Sequence, residues 1–147
     1  MNKLRTIQVA ATALICGLSG AVVAHDRTDC SLRTLKGDYV FSASGYSFNA
    51  TAGVWLPKAI VEYIHFKGDG TLSVTAATVA NATGNGAVTQ SPPGGVGTYA
   101  VDANCKGILQ FTPGPSFDIF VAPKGGELWM IQTNPNNAFQ GHVKKVS

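Results

Sequence analysis

Turn-forming residues punctuate this chain so often that no long helix fits between them. Gly68-Asp69-Gly70, Pro92-Pro93-Gly94-Gly95, Pro113-Gly114-Pro115, Pro123-Lys124-Gly125-Gly126 and Asn134-Pro135-Asn136-Asn137 succeed one another along residues 68–137. Glycine supplies the positive φ and proline the fixed φ that tight turns need, and neither sustains a helix. The stretches between them are short and rich in β-branched and aromatic residues, which favours strands.

Read this way, the sequence predicts strands over 37–48, 58–67, 71–79, 98–102, 108–112, 117–122, 127–133 and 139–146. Residues 81–97 are small, polar and rich in Gly and Pro, and read as a turn or short strand followed by a loop. A short helical turn fits residues 31–35. Strands joined by short connections form an antiparallel meander. About eight of them predict an all-β, up-and-down barrel, because closure removes exposed sheet edges. A two-sheet sandwich is the alternative.

The first residues read as an address. Lys3 and Arg5 precede an apolar run from Ile7 to Leu18, and Ala21-Val22-Val23-Ala24 offers the small residues a signal peptidase requires. A secretory signal peptide over 1–24 is expected, with cleavage before His25 and a single barrel domain over 25–147. The apolar run is short for a membrane span, and no transmembrane segment is expected after cleavage. The net charge of +3 then loses the contribution of Lys3 and Arg5, so bulk charge gives no reason to expect a nucleic-acid partner. Charged residues are only 13%, too few for a charged disordered tail. Periplasmic or secreted localisation follows from the signal.

Cys16 leaves with that signal, and Cys30 and Cys105 remain. In an oxidising compartment two cysteines most simply pair with each other. A metal-binding or reactive pair would want a CxxC spacing or a nearby histidine, and neither accompanies them.

The segment Cys30-Ser31-Leu32-Arg33-Thr34-Leu35-Lys36-Gly37-Asp38-Tyr39-Val40-Phe41 resembles the opening of a family of small exported bacterial proteins. Phe66-Lys67-Gly68-Asp69-Gly70-Thr71-Leu72 is similar to that family's hairpin, with Lys67 where Asp is usual. Gly97-Thr98-Tyr99-Ala100-Val101, followed by Cys105 and Gly107, is similar to a third family segment. The resemblance implies a barrel like that of allene oxide cyclases, related in shape to lipocalins, and a Cys30–Cys105 disulfide. It lends no catalytic residues, and a shared barrel does not transfer cyclase activity.

Strand alternation puts Ile60, Glu62, Ile64 and Phe66 on one face of 58–67. The resemblance points Phe66 into the barrel, which carries Glu62 inward. A carboxylate among apolar neighbours is costly unless it is paired, hydrogen-bonded or protonated, and it can anchor a ligand or transfer a proton. Leu128, Met130 and Gln132 alternate with Trp129, Ile131 and Thr133, and one set should line the interior. A cavity lined by Phe66, Trp129 and Met130, with Glu62 as its polar point, makes these four the candidate ligand-binding residues. His65 and His142 are expected at the surface or rim, since one histidine makes no metal site, and Asp118 is expected to face solvent. No nucleophile elbow, phosphate loop or metal spacing is present, so neither cofactor nor metal is expected.

The first expectation is an exported barrel binding a small apolar or amphipathic ligand or an envelope partner, in a cavity with Glu62 as its polar point. An isomerase or cyclase-like enzyme using Glu62 is the second. The third is a filled structural barrel acting through its surface.

Overall fold

In a computed structural model, residues 29–81, the main chain of 88–91, and 95–147 are described. The expected signal peptide and most of the 81–97 loop lie outside these residues. Nine strands form one antiparallel sheet: β1 (Lys36–Asn49), β2 (Val54–Lys67), β3 (Thr71–Asn81), β4 (Val88–Ser91), β5 (Val96–Val101), β6 (Lys106–Phe111), β7 (Ser116–Val121), β8 (Glu127–Gln132) and β9 (Asn137–Lys145). The order β2-β1-β9-β8-β7-β6-β5-β3 closes on itself through a β2–β3 pairing, giving an eight-stranded barrel. Strand β4 lies outside that circle and, among the described residues, pairs with the Ala77–Ala80 stretch of β3.

The expected strands are all present, with shifted ends. Strand β2 starts at Val54, four residues before the predicted start. Pro57 hid that extension, because proline lacks the N–H that a central strand donates. Here it opposes Tyr46 of β1 beyond the last β2–β3 pair, Lys58–Asn81, where β2 has β1 as its described neighbour.

The interior is packed mainly with aromatic and aliphatic side chains from alternate positions. Phe66 lies between Tyr39 and Tyr99, each ring centroid 5.1 Å away and nearly perpendicular. Phe117 contacts Phe41 and Phe111 edge to face at 6.1 and 6.2 Å. Such edge-to-face contacts add to the stabilisation from burial alone. One end is stoppered by the segment before β1, whose 3-10 turn (Leu32–Thr34) leads to the fully buried Leu35. The Tyr99 hydroxyl donates to the Leu35 carbonyl at 2.8 Å, and that of Tyr39 to the Gly125 carbonyl at 2.7 Å. The Cys30–Cys105 disulfide ties the stopper to the β5–β6 turn.

Gly45 sits where β1 and β9 press together. A Cβ there would collide with the Ala138 carbonyl oxygen and come within 2.7 Å of the Phe139 Cα. Only glycine permits that approach.

Candidate functional site

Glu62 faces inward, as alternation with Ile64 and Phe66 predicts. Its Oε2 is buried and, among the described residues, has no hydrogen-bond partner. A second inward polar residue, Gln132 of β8, has the same property at Oε1. The two flank one aromatic layer: Glu62 opposes Phe41, Gln132 opposes Phe117, and those two rings touch. Burial pushes the Glu62 carboxyl up from 4.5 to about 7, and Lys58, on the same face of β2, only partly offsets this. Burial in turn lowers the Lys58 ammonium, whose Nζ lies 4.7 Å from the centroid of the Phe139 ring.

A raised carboxyl pKa has a definite consequence for folding. The folded state holds the Glu62 proton between about pH 4.5 and 7, where the unfolded chain has released it. The associated stability is complete below the unfolded value and is lost as pH rises through 7. Wild type should therefore lose about 2–3 kcal/mol between pH 5 and pH 8 relative to Glu62→Gln. Urea unfolding of both proteins across that range checks this, and parallel profiles would place Glu62 in water.

The four candidate ligand-binding residues do not converge. Phe66 is fully buried in the aromatic stack and Met130 is 2% exposed, whereas Trp129 is 51% exposed. Trp129 and Met130 are adjacent in β8, so their side chains leave opposite faces, and the expectation of Trp129 inside the barrel is corrected. Trp129 stands instead on the outer wall.

There it borders a groove of about 650 Å³, within the size range of small-molecule sites. Trp129 opposes Phe120 on β7 and His142 on β9, His142 opposes Ser42 on β1, and Ser42 opposes Val61 on β2. The next row brings Ile131, Gln140, Ser44 and Ala59 into the same groove. Small residues on β1 thus make a floor between an aromatic wall on one side and Val61 on the other. The His142 ring stacks on the indole at 5.2 Å, and its Nε2 donates to Glu127 Oε2 at 2.7 Å. That bond and the stack fix the ring's orientation.

His65 and His142 are both partly exposed, and Asp118 is exposed, as expected. His65 Nδ1 donates to Asp38 Oδ1 at 2.7 Å, and Ser147 Oγ donates to the other oxygen of Asp38. These bonds hold the Asp38 carboxyl below its ordinary value. Gln132 was within reach of sequence reasoning, since it continues the inward alternation of Leu128 and Met130. The partners of His142 were not, because cross-strand register brings them together. No family model, characterised protein or solved structure matches the chain.

Proposed function

We infer that the protein is an exported, water-solvated β-barrel that binds a small amphipathic ligand in the groove on its outer wall. The observation that carries this reading is the groove itself. An exposed indole, Phe120 and Ile131 face a floor that offers the hydroxyls of Ser42 and Ser44 and the amide of Gln140. Exposed large apolar side chains grouped beside hydrogen-bonding groups mark interaction surfaces. Packed aromatic rings occupy much of the interior, which favours the outer wall over a central cavity. The expected signal and the disulfide support an extracytoplasmic location. Water around the barrel is supported by charged and polar residues on its outer face: Lys106, Gln110, Asp118 and Lys144 stand exposed on the strands among apolar residues such as Ile108 and Phe120. A lipid-embedded barrel would carry an apolar outer band instead. The sequence resemblance to a family of small exported proteins fits the same reading.

Native mass spectrometry of the oxidised protein tests it. A co-purified small molecule is expected in wild type, and Trp129→Ala should weaken its retention roughly tenfold or more. Ser44→Trp, which fills the groove, should abolish it. A second reading rests on the buried Glu62 carboxyl with its orphan oxygen: proton transfer by an isomerase or cyclase-like enzyme. A ligand that survives Trp129→Ala and is lost in Glu62→Ala would favour that reading over the groove.

A further inference from the structure

At the stoppered end of the barrel a separate cleft of about 670 Å³ gathers Arg33, Lys36, Lys124 and Lys145. They come from the segment before β1, from β1 itself, from the 3-10 turn (Pro123–Gly125) and from β9. These are half of the eight lysines and arginines within the described residues. Asp29 and the terminal residue Ser147 also line the cleft, and Lys145 Nζ lies 5.9 Å from the centroid of the Tyr39 ring. Among the described residues, none of the four cations has a carboxylate oxygen within ion-pairing distance. The nearest acid on β1, Asp38, is occupied by His65 and Ser147.

Two of these lysines carry a cost in the folded state. Lys36 lies directly opposite Lys67 in the β1–β2 register, and like charges at that position repel. Lys124 holds a left-handed backbone, φ 70°, a conformation uncommon and somewhat costly for a side-chain-bearing residue. Glycine there would relieve the strain and remove the charge. Retaining lysine instead keeps a fourth cation on the cleft.

We propose that this cleft is an anion-binding site for a multiply charged, phosphate-bearing ligand. Four cations on one cleft, none of them in an ion pair among the described residues, favour an anion that presents more than one negative oxygen, and a phosphate group does so. The geometry is independent of the outer groove, with which it shares no residue.

The test uses the oxidised chain and inorganic pyrophosphate, titrated calorimetrically at low salt. Binding is expected, and Lys36→Gln with Lys145→Gln should weaken it by about tenfold for each cation removed. Lys124→Gly should weaken binding while leaving the fold as stable as wild type or more so, which separates loss of charge from loss of structure. Lys106→Gln, outside the cleft, should change nothing. Two vesicle preparations, phosphatidylcholine with and without phosphatidylglycerol, identify the source of the phosphate. Retention on the anionic vesicles that pyrophosphate displaces assigns a lipid headgroup. Pyrophosphate binding without vesicle retention assigns a soluble ligand. The proposal is overturned if neither pyrophosphate nor anionic vesicles bind. It is equally overturned if the cleft variants bind as wild type does, if Lys106→Gln weakens binding as much as they do, or if pyrophosphate fails to displace the vesicles.

Discussion

Replacing Phe66 by alanine is expected to remove about 3–5 kcal/mol of folding stability, a large share of what a domain of this size possesses. The ring is fully buried, so its loss forfeits both the transfer of its carbons from water and the contacts across the hole it leaves. The damage should also spread. Phe66 supports Tyr39 and Tyr99 on its two sides, and the hydroxyls of those residues hold the Gly125 turn and the Leu35 stopper. Urea unfolding followed by circular dichroism gives the number. Phe66→Leu, which keeps most of the volume, should cost under about 1.5 kcal/mol. A loss below about 1 kcal/mol for the alanine variant would mean that the barrel collapses onto the vacancy, and the packing described above would be wrong.

The double substitution Cys30→Ser, Cys105→Ser is expected to cost about 4 kcal/mol. The bridged residues are 75 apart in sequence, and removing the bridge frees that whole span in the unfolded chain. Most of the effect therefore lies in the denatured ensemble, and the folded circular dichroism spectrum of the variant should match wild type. Full reduction of wild type should reproduce the variant's unfolding midpoint. A variant within about 1 kcal/mol of wild type would show that the denatured chain stays compact without its cross-link.

Much of the wall was legible in the sequence, because its information is local. The Gly68-Asp69-Gly70 turn has both glycines at positive φ, 81° and 93°, and the Asp69 carboxylate accepts from Thr71 N at 2.9 Å. Those requirements sit within four residues of one another. Glu62 was placed inward by sharing a face with Phe66, which the resemblance pointed into the barrel. Strand β4 falls in the 81–97 stretch read as a turn or short strand, but at four residues it is too brief for alternation to fix its bounds. The sites escaped. The outer groove draws on five strands from Ser42 to His142, and the basic cleft on residues from Arg33 to Lys145. Nothing within either set of residues signals the others, since only the closing of the barrel makes them neighbours. Trp129 illustrates the intermediate case: its alternation with Met130 was visible, but which of the two faced inward depended on register.

Strand β3 divides its outer edge between two partners, taking β4 along Ala77–Ala80 and β5 only at Thr71, Leu72 and Ser73. Bonds from Val74 N to the Gly95 oxygen and from Tyr99 N to the Gly70 oxygen extend that joint slightly. It remains the shortest in the wall, and it is one of the two joints, with β1–β9, where the first three strands of the chain meet the last five. Mechanically the barrel is a sleeve with one lightly stitched seam, whereas the β1–β9 joint runs along nine register pairs. Breathing motions should part the sleeve there first, so amide protons of Leu72 and Val74 should exchange sooner than those of Phe41 and Val143. The disulfide joins the segment ahead of β1 to the turn after β5, one anchor on each side of that seam. It acts as a clasp that limits how far the edges can separate while leaving the seam itself free to open.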